Sequence, residues 1–179
     1  LEGRRVVQLG LGVWHACALL DDGRVRCWGE GVGGALGRGD REIGRAPELV
    51  AALDHVSALH GVSGLDDVTQ LAVGAEHTCA LREDGTIACW GANGSGQLGD
   101  GVGDHPGAIC EAHRTVFDCS DVPVGVVEVD DAVAIAAGAS HTCAIRAGGE
   151  VACWGEGATM QLGDGTRTWS GRPVAVRGL

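Results

Sequence analysis

Several residue types and motifs are missing from this chain, and each absence argues against a class of function. The 179 residues contain no lysine, and 13 basic residues, all arginine, against 24 acidic ones give a formal net charge of −11. An acidic surface repels phosphate backbones, so no nucleic acid is predicted as a partner. No apolar run approaches the roughly 20 residues needed to cross a bilayer, so no membrane span is predicted. No Gly-x-Ser-x-Gly elbow and no phosphate loop indicates a catalytic or nucleotide-binding site.

Glycine and cysteine are abundant instead. The 32 glycines predict many tight turns and therefore many short strands. The eight cysteines are even in number and fall in close pairs, which predicts disulfides. Disulfides persist in oxidising compartments, so the sequence predicts an extracellular, periplasmic or cell-surface protein.

One pattern occurs three times, over Gly12 to Gly29, Gly74 to Gly91 and Gly138 to Gly155. Each copy has a histidine, a cysteine two residues later, a second cysteine ten residues further on and then Trp-Gly. The repeated residues are His15, His77 and His141, Cys17, Cys79 and Cys143, Cys27, Cys89 and Cys153, and Trp28, Trp90 and Trp154. Self-similarity of this kind indicates a repeat architecture.

The spacing of the copies predicts where the repeats begin and end. The last repeat, 130–179, has 50 residues, while the first and second, 1–65 and 66–129, are longer. The extra residues predict insertions at about 40–63 and 102–125. Within the first insertion, 47–59 fits either a short helix or an elongated strand, and the sequence does not decide between them.

Each repeat contains a predicted β-hairpin. A three-residue turn such as Glu83-Asp84-Gly85 places Cys79 directly opposite Cys89, at a distance that a disulfide can bridge. The same reasoning predicts Cys17–Cys27 and Cys143–Cys153. With one strand before each hairpin and one after it, the units predict an all-β fold, a partial β-propeller of three four-stranded antiparallel blades.

The second insertion holds four potential zinc ligands, His105, Cys110, His113 and Cys119. Their spacing fits no tight zinc knuckle, so a Cys110–Cys119 disulfide is the favoured interpretation and a metal site the alternative.

The pattern of Gly74 to Gly101, which includes Gly-Gln-Leu-Gly-Asp-Gly at 96–101, resembles the regulator of chromosome condensation repeat. The paired cysteines resemble the bacterial exported branch of that family. The resemblance implies a β-propeller, usually of seven blades, and an interaction platform. The nucleotide-exchange activity of the family's founding member is not expected here, because three repeats do not supply the exchange face.

The repeated histidines are interpreted as structural groups that hydrogen-bond turn backbone within each blade, rather than as metal ligands or bases. Trp28, Trp90 and Trp154 are predicted to lie in the core between blades. Trp14 and Trp169 do not repeat, so they are candidate contact residues alongside His105 and His113.

These features predict a non-catalytic scaffold, without cofactor, that binds a protein partner of unknown identity. The alternative is a hydrolase or lyase that uses histidine and carboxylate groups on one propeller face. The insertions are expected to carry specificity, and deletion of 103–121 to leave the fold intact. Three blades would expose edge strands at both ends, so either further blades complete the ring or copies self-associate through those edges.

Overall fold

The computed structural model describes residues 4–37, 39, 65, 67–102, 109–112 and 115–179. These residues form three antiparallel sheets. The first sheet contains β1 (Val6–Leu11), β2 (His15–Leu20) and β3 (Val25–Gly29). The helix-type element among the described residues is a single 3-10 turn, Val32–Gly34.

The second sheet has five strands in the order β4-β5-β6-β8-β7. They are β4 (Val68–Val73), β5 (His77–Arg82), β6 (Ile87–Ala92), β7 (Ile109–Ala112) and β8 (Thr115–Gly125). The third sheet has four strands, β9 (Ala132–Ala137), β10 (His141–Arg146), β11 (Val151–Gly155) and β12 (Ser170–Ala175). The predicted all-β class is therefore confirmed.

The central hairpin of each sheet forms as its turn chemistry requires. In the second sheet Gly85 adopts φ of +83°, which glycine tolerates without steric cost, and Arg82 N donates to Thr86 O at 2.9 Å. This turn fixes the register that places Cys79 opposite Cys89. The three predicted hairpin disulfides are confirmed, with Cα atoms 4.0 to 4.1 Å apart.

The fourth strand of the second sheet comes from the end of the segment assigned to the second insertion. Cys89 pairs with Val124 in β8, just as Cys153 pairs with Val174 in β12. Residues 120–125 thus occupy the place of an ordinary outer strand, and β7 adds a fifth strand beyond it. The first insertion, including 47–59, lies outside the described residues.

The apolar core lies between neighbouring sheets. Between the first two sheets, Leu19 and Val25 pack with Leu71 and Trp90 from the second. Leu81, Ile87, Ile135 and Trp154 form the matching cluster between the second and third sheets. The Cys17–Cys27 and Cys79–Cys89 disulfides lie within these clusters, so each one links the strands of a hairpin inside a junction. The chain-entropy argument gives about 2.5–3 kcal/mol for a loop of this size.

Candidate interaction site: the upper turns and the sheet junctions

We call the turns between the first and second strands of the sheets, residues 12–14, 74–76 and 138–140, the upper turns. Backbone hydrogen bonds join them in a row, since Val13 N donates to Ala75 O at 2.9 Å and Ala75 N donates to Ala139 O at 3.0 Å. The side chains on these turns therefore share one continuous surface.

Trp14 is the large aromatic side chain on this surface, and it is 59% exposed. Its backbone carbonyl accepts a hydrogen bond from Glu30 N at 2.8 Å, which places Glu30 beside it. Glu76 occupies the same position in the second sheet and is exposed although a sheet flanks it on each side. The exposure of Trp14 therefore follows from its place in the turn and not from the open side of the first sheet.

The other candidate contact residues do not join Trp14. Trp169 is 61% exposed and precedes the outer strand of the third sheet, where its ring lies near Gly171. His105 and His113 lie outside the described residues. Cys110 and Cys119 form a disulfide with Cα atoms 5.9 Å apart, as in the favoured interpretation of that segment.

The repeated histidines act between sheets. His15 Nε2 lies 2.9 Å from Thr78 Oγ1 of the second sheet, and His77 Nε2 lies 2.9 Å from Thr142 Oγ1 of the third. The expectation that each histidine binds turn backbone within its own blade was therefore wrong for His15 and His77. Each of these side chains reaches across the junction to the next sheet. The sequence signal for this contact was the threonine directly after the histidine of the next copy, Thr78 for His15 and Thr142 for His77.

The hydrogen bonds also determine the tautomer of His77. The Thr142 hydroxyl donates its single proton to Gln97 O at 3.3 Å, so it accepts from His77 Nε2–H. Burial, and to a smaller extent repulsion from the rings of His15 and His141 when those are protonated, lowers the pKa of His77 to about 3. Burial likewise lowers the pKa of His15 to about 4. Both rings are therefore neutral at physiological pH. Because they are buried and hydrogen-bonded to threonine, we interpret them as structural groups.

A second polar contact, not anticipated from the sequence, crosses each junction. Gln8 Nε2 donates to Leu71 O at 2.8 Å, and Gln8 Oε1 accepts from Leu71 N at 2.8 Å. Gln70 forms the same pair of bonds with Ile135, at 3.1 and 2.9 Å. The sequence signal for this contact was glutamine at the same strand position in two copies, Gln8 and Gln70.

The Cys-Trp-Gly tryptophans differ in burial. Trp90 and Trp154 are fully buried, and their indole N–H groups donate to Ala35 O at 3.1 Å and Gln97 O at 2.9 Å of the preceding sheet. The core position expected for all three does not hold for Trp28, which is 40% exposed. Its register matches that of Trp90, whose indole faces the preceding sheet, so Trp28 belongs to the face of the first sheet that points away from the second.

A groove of about 550 Å³ beside the third sheet is lined by Glu128, Asp131, Arg146 and Glu150 among others, with no histidine in its described lining. Asp131 is paired there with Arg146 at 2.7 Å. Within the described ranges no group of three or more His, Cys, Asp or Glu side chains is placed to hold a metal ion. No helix among the described residues is long and apolar enough to cross a membrane.

Comparison with known proteins identifies the repeat. Models of the Regulator of chromosome condensation (RCC1) repeat match residues 6–34, 68–97 and 132–158, and a second model of the same repeat matches 22–81. The chain is 32% identical over its full length to human E3 ubiquitin-protein ligase HERC2 but covers 3% of that protein. It is 31% identical over 94% of its length to the Arabidopsis thaliana Ultraviolet-B receptor UVR8, of which it covers 33%. The chain thus spans a third or less of these relatives.

Solved structures give the same architecture. A crystal structure of Kap60 bound to yeast RCC1 (Prp20) matches 97% of the chain and 37% of the solved chain, with a TM-score of 0.76 at 23% identity. The crystal structure of human WBSCR16 matches 97% of the chain and 40% of the solved chain, with a TM-score of 0.70 at 22% identity. These likenesses confirm the β-propeller fold.

Proposed function

The chain belongs to the regulator of chromosome condensation (RCC1) repeat family, and from that premise we propose that it is a non-catalytic scaffold that binds a protein partner through its upper turns. The observation that carries the proposal is the exposed indole of Trp14 on a continuous turn surface. The buried histidines, disulfides and tryptophans join sheets to one another, so they leave the turns as the place where a partner can be recognised.

The chemistry around Trp14 suits a partner segment with positive charge. Glu30 and Glu76 are both exposed, and neither forms an ion pair with another described residue. An exposed indole on the same surface as two carboxylates can stack against an arginine or lysine side chain while a carboxylate binds its charged end. Tryptophan is also among the residue types that contribute most to binding at protein interfaces.

We propose that the second insertion has a structural part in this scaffold. Phe117 of β8 lies against both Gly33 of the first sheet and Gly94 of the second, and Gly39 N donates to Asp121 O at 2.8 Å. The described part of the second insertion therefore bridges two sheets. In place of the expectation that deletion of 103–121 leaves the fold intact, we propose that the deletion weakens the contact between these sheets, because it removes Phe117, Cys119 and Asp121. We retain 1–65, 66–129 and 130–179 as the proposed repeat units.

We also propose an oxidising location, extracellular, periplasmic or on the cell surface. The support is chemical: all four cysteine pairs of the described chain are disulfide-bonded, and such bonds are rare where glutathione keeps thiols reduced. The bacterial exported branch of the family remains a proposal on the same ground.

The test compares two tryptophans of nearly equal exposure. Immobilised wild type, Trp14→Ala and Trp169→Ala are each used to capture proteins from an extract of the native source. A partner of the upper turns is expected to bind wild type and Trp169→Ala but not Trp14→Ala. Equal capture by all three would exclude Trp14 as the contact, and a measurable hydrolytic activity in the wild type would contradict the non-catalytic assignment.

A further inference from the structure

The two junctions between sheets repeat the same four contacts. Three are the His–Thr bond, the glutamine pair of bonds and the bond from tryptophan to a carbonyl of the preceding sheet. The fourth is steric: Gly34 and Gly96 lie against the outer strand of the next sheet. A Cβ on Gly34 would lie 2.5 Å from Ser120 O, and one on Gly96 would lie 2.6 Å from Gly171 Cα. A side chain at this position is therefore incompatible with a junction of this kind.

The outward face of the third sheet, which we call the far face, lacks two of the four features. By register, Ala134 stands where Gln8 and Gln70 stand in the other sheets, so the far face has no glutamine. Met160 stands at the position of Gly34 and Gly96 and takes φ of +66°, the left-handed conformation used by those glycines. Its side chain is 45% exposed. The far face keeps His141 and Gln161, the counterparts of His77 and Gln97.

The outward face of the first sheet, the near face, lacks a third feature. Ala16 occupies the position of Thr78 and Thr142, so this face has no hydroxyl for a histidine. The near face is nevertheless apolar, with Leu9 and Leu11 exposed by 55% and 68%. The counterpart of Leu9 in the second sheet, Leu71, is only 4% exposed.

We propose that the far face accepts a sheet of the same repeat that presents a threonine hydroxyl to His141 and leaves room for Met160, and that it rejects the near face of a second copy. In a contact between copies, Ala16 would leave His141 without an acceptor inside the new interface. Loss of a partner for a buried polar group is costly, and Ala134 offers no glutamine bonds in return. Met160 additionally excludes a sheet whose outer strand is placed like those of the second and third sheets; the described part of the first sheet has three strands, so rejection of the near face rests on Ala16 and Ala134.

The three departures at Ala16, Ala134 and Met160 would oppose association of copies through their apolar outward faces. Hydrophobic burial is not directional, so two exposed sheet faces of this composition would otherwise associate head to tail. All three departures lie on the outward faces, and both internal junctions keep every contact. The inference stands on these junctions and does not depend on whether Trp14 binds a partner.

Light scattering over a wide concentration range tests the proposal by gain of function. The wild type is expected to stay monomeric, while the variant A16T/A134Q/M160G, which restores all three features, is expected to self-associate at least about tenfold more tightly. Adding His141→Ala to that variant should remove part of the gain. The control A147Q/A158T places the same side chains on exposed turns and should behave as wild type.

Two results would overturn the proposal. One is head-to-tail association of the wild type as strong as that of the triple variant. The other is a folded triple variant, checked by circular dichroism, that associates no more tightly than the control. If the triple variant does not fold, A16T alone provides the comparison, because it restores the hydroxyl for His141 and leaves the far face unchanged.

Discussion

Acidification below about pH 6.5 should weaken this protein through two buried histidines. His77 is fully buried and His15 is 5% exposed, and burial lowers the pKa values of these rings to about 3 and about 4. In the unfolded chain both should titrate near about 6.5. The unfolded state therefore binds more protons than the folded state as pH falls below that value. The stability contributed by the neutral rings is fully present above it and is lost on acidification.

The size of the effect follows from the same pKa values. Between about pH 8 and about pH 5, each histidine should cost about 2 kcal/mol of unfolding free energy, or about 4 kcal/mol for the pair. Hydrogen bonds from Arg5 to Asp21 and from Thr86 to Asp84 lower the pKa values of those groups, so their effect appears at still lower pH.

Urea unfolding of the oxidised chain at the two pH values measures this loss, and His77→Gln is the informative variant. Glutamine can still donate to the Thr142 hydroxyl but does not titrate, so the variant should lose only about half as much stability as the wild type over the same window. The comparison is made within each variant, so a change in its overall stability cancels. An equal pH dependence in wild type and variant would refute the role assigned to His77.

Three further predictions follow from particular residues. Gly74→Ala should destabilise by more than about 2 kcal/mol in urea unfolding, because its Cβ would lie 2.1 Å from His77 Cε1; Gly125→Ala, with nothing within 4 Å, is the matched control and should change little. Cys79→Ala/Cys89→Ala should lose about 2.5–3 kcal/mol or more, whereas an unchanged melting curve would show that the disulfide is not formed. Met160→Gly should stabilise the chain by up to about 1 kcal/mol, because it relieves a left-handed backbone at a half-exposed side chain; clear destabilisation would mean that Met160 packs against something.

The sequence predicts the hairpins well because their register depends on local features. Turn glycines such as Gly85 and the spacing of Cys79 and Cys89 are enough to place two cysteines opposite each other. The same local pattern says little about contacts between sheets. His77 finds its partner 65 residues away in Thr142, and no periodicity of either strand reveals that distance. The histidines were therefore recognised as structural but assigned to the wrong contact.

The outer strands illustrate a second limit. In the third repeat β12 follows its turn closely, so the fourth strand is evident from Pro173 and Val174. In the second repeat the equivalent strand comes after the inserted residues, and its pairing with β6 is fixed by the sheet rather than by its own sequence. Trp28 shows the same principle, since it shares a motif with Trp90 and Trp154 but not their covering sheet.

Hydrogen–deuterium exchange of the chain with its captured partner bound tests the central claim most directly. If the upper turns are the binding surface, the partner should slow amide exchange in peptides that cover 12–15 and 74–77, and it should leave the lower hairpin turns at 83–86 and 147–150 unchanged. Protection confined to the lower turns or to the segment around Trp169, with the upper turns exchanging as in the free chain, would contradict the account.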